Sequence, residues 1–221
     1  QPDDFDPRPA AAAALEVLAP LGVRAVYHKP FAKDRSRLGG ELPATASDPT
    51  PLAGEPLPES LIIREADWNL EVRLYDGLST GLFLDQRDNR IFINRHIAAL
   101  RAQPRSAPPS VLNTFAYTCA FSIAAASAGA LTTSVDVSAR YLDWGKRNFT
   151  HNNLDPAAHR FARMDTFDFL GYALKKSLRY DVIIIDPPSF ASGSRKKGIR
   201  PWSSVDDYAK LIHEASRILA P

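Results

Sequence analysis

A single cysteine, Cys119, stands in 221 residues. One thiol excludes an intrachain disulfide and any thiolate zinc cluster, and the five histidines are scattered without ligand spacing, so no metal is expected. No apolar run reaches the ~20 residues of a bilayer-spanning helix, and no charged-then-apolar leader opens the chain. The expectation is a cytoplasmic protein without a membrane anchor. Charge of one sign is missing too: 27 Lys and Arg stand against 25 Asp and Glu, a formal net charge of +2. A nucleic-acid partner must therefore be argued from where basic residues cluster, not from the total. What remains is 45% hydrophobic and 24% charged, enough for one large domain or two modest ones.

Proline divides the chain. Ten of its 18 prolines precede residue 60, and a polar, turn-rich stretch over 29–59 holds no core of its own. The amino-terminal part, 1–80, reads as a small α+β unit. It has a short helix over 10–18, a strand over 23–28, and a hairpin of strands 61–65 and 70–75 turning at Asp67-Trp68-Asn69. From residue 81 apolar runs alternate with helical patterns, the signature of a parallel sheet built from βαβ units. Strands are expected over 111–115, 132–136, 160–164 and 181–185, and helices over 87–102, 121–128, 139–152, 167–177 and 205–219.

The most informative stretch is Val182-Ile183-Ile184-Ile185-Asp186-Pro187-Pro188-Ser189-Phe190. A continuous β-branched run is the pattern of a buried parallel strand, and ligands of open α/β sheets gather beyond the carboxyl ends of such strands. Two prolines fix the backbone after Asp186 and remove two donors, so the carbonyls of Asp186 and Pro187 suit a flat base carrying an amino group. The alternative is an ordinary Pro-Pro turn. Two more strand ends carry an acid. Asp136 lies about 20 residues past the first strand tip, the spacing at which a carboxylate accepts ribose hydroxyls; the competing cap role falls more naturally to Ser138. Asp165 suits an adenine amino group and equally suits capping the next helix. The first strand turns through 113–122 without any glycine, which argues against a dinucleotide, whose pyrophosphate needs a glycine-rich approach.

The segments Asn113-Thr114-Phe115-Ala116-Tyr117-Thr118, Ser134-Val135-Asp136, Asp165-Thr166-Phe167 and Asp186-Pro187-Pro188-Ser189-Phe190 resemble the motifs of class I S-adenosylmethionine-dependent methyltransferases. With Thr80-Gly81-Leu82-Phe83-Leu84-Asp85-Gln86-Arg87-Asp88-Asn89-Arg90, they are most similar to the group that modifies bases of bacterial large-subunit ribosomal RNA. The resemblance runs from about residue 60 to the end. It implies a Rossmann-like methyltransferase sheet over 81–221, incomplete at its carboxyl end, behind an RNA-contacting unit over 1–80. It also implies S-adenosylmethionine as cofactor, held by Phe115, Tyr117 and Thr118 around the methionine part, Asp136 at the ribose and Asp165 at the adenine. Arg87 is either a contact to the cofactor carboxylate or a helix-surface ion pair. Cys119 stands where the family usually has glycine, and is expected to crowd the cofactor or alter the turn.

In the implied reaction Asp186, Pro187 and Pro188 hold the base edge and Phe190 stacks on its face. Two acceptors remain open, cytosine carbon-5, which needs a cysteine nucleophile, and guanine nitrogen-7, which needs none. The run 192–201 holds Arg195, Lys196, Lys197 and Arg200 with no acid and is followed by Trp202, a pattern suited to clamping phosphates and stacking a neighbouring base. RNA is thus the expected partner; the oligomeric state is left open, a homodimer included. A non-catalytic RNA-binding protein on the same fold is the alternative. Methylation of an exocyclic amine is a third reading, weakened because Ser189 separates the prolines from the aromatic.

Overall fold

The computed structural model describes residues 6–29, 48–76, 79–191, 193 and 201–221. Two compact units are present: Gln1–Ile62 with Val72–Gly81, and Ile63–Glu71 with Leu82–Pro221.

In the first unit α1 (Arg8–Leu18) opens with prolines in its first turn, where no intrahelical donor is lost. A 3-10 turn, Ala19–Leu21, follows and ends on left-handed Gly22. The expected strand over 23–28 narrows to β1 (Ala25–Val26), paired antiparallel with β2 (Ala53–Gly54). Its partner is flanked by Pro51 and Pro56, which cannot donate to a longer ladder. Gly54 is required at this pairing, because a Cβ there would collide with the Arg24 carbonyl. Tyr27 and Tyr75 both reach Leu57, one hydroxyl accepting from its amide at 2.9 Å and the other donating to its carbonyl at 3.3 Å.

β3 (Leu61–Glu65) and β4 (Trp68–Val72) form a two-stranded sheet. The turn is Ala66-Asp67, with Ala66 left-handed, and not Asp67-Trp68-Asn69 as expected; Trp68 is a buried apolar side chain and already belongs to β4. Residues 63–71 belong to the second unit, where Glu71 is bonded to α4 (Ala139–His151). Asn148 accepts the Glu71 amide at 2.8 Å, Trp144 donates to the Glu71 carbonyl at 3.1 Å, and Arg147 forks onto the buried Glu71 carboxylate.

In the second unit a 3-10 turn, Leu84–Gln86, leads into α2 (Arg87–Arg101). There follow β5 (Ser110–Thr114), α3 (Ala120–Ser127), β6 (Leu131–Asp136), α4, β7 (Arg160–Arg163), α5 (Thr166–Lys175), β8 (Val182–Ile185), β9 (Phe190–Ala191), β10 (Trp202–Ser203) and α6 (Ser204–Ser216). The main sheet runs β7-β6-β5-β8, every neighbour parallel. Counted from β5 this is the order 3-2-1-4, a doubly wound sheet whose chain reverses direction between β5 and β8, where such sheets place their ligands. Consecutive strand residues point to opposite faces. Leu112 packs with Phe169, Leu170, Leu211 and Ile218 of the α5 and α6 side, while Val111 and Ile184 pack with Ile97 and Ala125 of α2 and α3. Truncating a fully buried leucine such as Leu112 to alanine costs about 2–5 kcal/mol.

The amino edge of the sheet is closed by Asp181, which precedes β8. Its carboxylate accepts from the Ser110 amide at 2.7 Å, the Ser110 hydroxyl at 2.8 Å and Arg105 at 2.7 Å. Burial raises its proton affinity, but these donors outweigh it and hold the carboxyl below its ordinary value.

Candidate active site at the carboxyl edge of the sheet

Thr114 pairs with Val135 on one side and with Ile185 on the other. The next residues along the three strands, Asp136, Phe115 and Asp186, therefore come out at one level on one edge. With strands ~4.8 Å apart, the two acids flank β5 at a backbone separation of about 10 Å. Asp165 follows β7, one strand further out, two residues beyond the level of Asp136.

The turn after β5 reaches its shape without glycine. Phe115, Tyr117 and Cys119 all have left-handed φ, of 53°, 49° and 63°. Each costs on the order of 1–2 kcal/mol for a residue with a Cβ. Hydrogen bonds from the surroundings hold the turn: the Ala116 amide donates to the Val135 carbonyl at 3.0 Å, the Cys119 amide to Ala116 at 2.7 Å, and Asn148 to the Thr118 carbonyl at 3.0 Å. Strain held in place by neighbours is the usual state of a ligand-binding turn.

Cys119 is fully buried. Its sulfur faces α4, where Gly145 leaves the room; a Cβ at Gly145 would overlap the sulfur. Complete burial pushes the thiol up to about 12. The Cys119 side chain is thus accommodated against α4 by a glycine 26 residues later, a compensation no local motif announces.

Asp136 is fixed by two backbone donors, Tyr117 to Oδ2 at 2.9 Å and Ser138 to Oδ1 at 2.8 Å, while Ser138 itself caps α4. A carboxylate offers about four lone-pair positions, so one acceptor site is left on each oxygen, the number a ribose diol needs. Burial raises its proton affinity, and the two amides oppose this. Asp165 caps α5, accepting from the Phe167 amide at 2.9 Å. Thr118 is buried, and Phe115 is half-buried with its ring 5.7 Å from that of Trp202. Tyr117 lies edge-on to Tyr141 at 4.6 Å and 5.4 Å from Phe83. Arg87 is exposed at the start of α2, without an ion pair among the described residues.

Asp186 is half-buried. Burial raises its proton affinity, Asp85 adds to this and Arg90 opposes it. Gln86 donates to its Oδ1 at 3.4 Å. Phe190 is 67% exposed. Trp202, expected to stack on RNA, is 5% exposed and instead packs inward, its indole donating to the Pro188 carbonyl at 2.6 Å. It is a brace for the Asp186 turn, since an indole N–H inside a core needs a partner and finds it in the Pro188 carbonyl. Phe190 pairs with Ser203 and Ala191 with Trp202, which sets β9 and β10 antiparallel just after this turn. Arg195, Lys196, Lys197 and Arg200 lie outside the described residues.

Three residues at this edge carried no role in the sequence reading. Gln86 meets Asp186 across 100 positions, Asn148 joins the β5 turn to Glu71, and Arg90, 2% exposed, forks onto buried Glu65 at 2.6 and 2.7 Å. The helical spacing of α2 marks Arg90 as facing inward but does not say what it meets.

A parallel 3-2-1-4 sheet presenting carboxylates at adjacent strand ends defines a Rossmann-like nucleoside-binding domain. Residues 42–221 match the family described as S-adenosylmethionine-dependent methyltransferase, and the chain belongs to it. It is similar to ribosomal RNA large subunit methyltransferase K of Neisseria meningitidis, 37% identical over 73% of this chain and 43% of that one. It is also similar to ribosomal RNA large subunit methyltransferase K/L of Legionella pneumophila, 40% identical over 74% of this chain and 21% of that one. Among solved structures, SMU.776, classed as a methyltransferase and solved in complex with SAH, superposes with a TM-score of 0.66 at 42% identity, over 76% of this chain and 41% of that one. The SAM-dependent methyltransferase from Agrobacterium tumefaciens does so with a TM-score of 0.67 at 27% identity, over 76% and 51%. The chain thus spans less than half the length of these curated relatives.

Proposed function

We propose that this chain binds S-adenosylmethionine and transfers its methyl group to a base of large-subunit ribosomal RNA. The observation that carries the proposal is the level alignment of Asp136 and Asp186 on either side of β5, at the sheet's switch point. Relatives named as ribosomal RNA large subunit methyltransferases support the choice of substrate.

The cofactor supplies an electrophilic methyl on a sulfonium, and the protein's task is placement of an acceptor atom about 3 Å from it. Asp136 accepts the ribose hydroxyls with the lone pairs its two amide partners leave over. The Asp165 cap borders the adenine. Phe115, Tyr117 and Thr118 surround the methionine part, and Arg87 is within the range of roles open to an exposed cation at this edge. Asp186 and the rigid Pro187 and Pro188 hold the base edge, Trp202 keeps that turn from relaxing, and Phe190 offers its exposed face for stacking. Arg195, Lys196, Lys197 and Arg200 supply the cationic charge for RNA phosphates.

Cytosine carbon-5 and guanine nitrogen-7 are both acceptors compatible with this site. Cys119 is buried against Gly145 with its proton affinity pushed up to about 12, so it is not itself the nucleophile that a pyrimidine ring needs. Transfer to a ring-nitrogen lone pair requires none. Calorimetry with S-adenosylmethionine and mass spectrometry of ribosomal RNA from cells lacking the protein test the proposal. Cofactor binding together with one missing methyl group supports it; RNA binding without cofactor binding leaves an RNA-binding module instead.

A further inference from the structure

We propose that Gln86 is the positioning residue of Asp186, pinning one carboxylate oxygen so that the other meets the base. The inference rests on the reading of Asp186 as the group at the base edge.

Gln86 occupies the last position before α2, where its amide donates to the Phe83 carbonyl at 3.3 Å. Its side chain is gripped at both ends. Asn89, one turn further along α2, donates to Oε1 at 2.7 Å, and Nε2 faces Asp186 Oδ1 at 3.4 Å. This orientation is chemically forced. An ionised carboxylate only accepts, so the Gln86 amino end must face it, and the amide oxygen is then left to the Asn89 donor. A separation of 3.4 Å is at the long end for a hydrogen bond, and contacts to catalytic carboxylates shorten when the reacting complex assembles.

Among the described residues, no other side chain hydrogen-bonds Asp186. The charged groups that face it are Asp85, on the turn before α2, and Arg90, on α2 itself. Arg90 gives its fork to Glu65, so it acts on Asp186 through the field alone. A neutral amide is suited to this post. It orients the carboxylate without neutralising it, whereas an arginine would neutralise the charge and take a lone pair from each oxygen.

The test uses the intact protein with tritiated S-adenosylmethionine and large-subunit ribosomal RNA from cells lacking it. Gln86→Ala should lower kcat about tenfold with cofactor affinity within about twofold of wild type. Gln86→Glu, which keeps the shape, should fall further. It should also move the acid limb of the pH–rate profile upward, because a new carboxylate joins Asp85 in opposing ionisation of Asp186. An unmoved acid limb in Gln86→Glu, or wild-type kcat in Gln86→Ala, overturns the inference provided Asp186→Ala is inactive. An active Asp186→Ala instead removes the reading beneath it.

Discussion

Strand β8 is bracketed by two aspartates that differ in almost every physical respect. Asp181 at its amino end takes hydrogen bonds from an amide, a hydroxyl and a guanidinium, and is held more acidic than usual. Asp186 at its carboxyl end has one long contact from Gln86 and is held less acidic than usual by burial and by Asp85. The first carboxylate stabilises the fold. The second is kept costly in the folded state and available to a ligand, the trade that functional sites make. The same contrast separates the relaxed interior of β5 from its tip, where three residues with a Cβ are left-handed in five positions.

Exchanging the two losses breaks the comparison most sharply. Asp186→Ala should lower methyl transfer by on the order of 10²-fold or more while the melting temperature holds or rises. Asp181→Ala should leave turnover per folded molecule intact, but strands the Ser110 amide and Arg105. That costs about 2 kcal/mol and lowers Tm by about 5 °C. Thermal scans beside single-turnover assays check both arms, and equal loss of turnover in the two variants would erase the distinction.

Stability against pH sharpens it. For Asp181 the folded-state proton affinity is lowered, so its contribution is present above the ordinary carboxylate value and is lost as pH falls through the folded one. For Asp186 it is raised, so the native state binds the extra proton, and stability falls as pH climbs from the ordinary value through the raised one. Asp186→Asn should accordingly raise Tm at pH 7 and leave it unchanged near pH 3, whereas Asp181→Asn should lower it at pH 7.

The smallest effect is expected at Cys119. Replacement by glycine relieves left-handed strain worth about 1 kcal/mol and empties the space against Gly145, two changes of similar size and opposite sign. Tm should stay within about 2 °C and cofactor affinity within about threefold, measured by calorimetry. A large gain in affinity would mean that the sulfur reaches the cofactor after all.

The strands of the second unit were legible because a doubly covered parallel sheet writes itself as short β-branched runs ended by acids. Val182-Ile183-Ile184-Ile185-Asp186 is the plainest case, and the observed β8 begins one residue inside the expected 181–185. Ser138 declared α4 through cap chemistry. Asp165 was divided between two roles, and the cap is the one visible in its hydrogen bond. The hairpin turn was misplaced because Trp68 reads as a loop aromatic until its burial is known. Trp202 misled in the same way: a tryptophan after four cations looks like a stacking platform, and only packing reveals that its indole serves Pro188.

By itself the sequence determined which residues end which strands, since local hydrophobic period and turn chemistry act over a few neighbours. It also carried the class of ligand, because acids at successive strand tips follow from that order. Tertiary structure alone decided that Cys119 is accommodated by Gly145, that Arg90 is consumed by Glu65, and that Gln86 reaches Asp186. Each is a contact between positions 25 to 100 residues apart, and such pairings are fixed by how the layers close over the sheet, which no local pattern encodes.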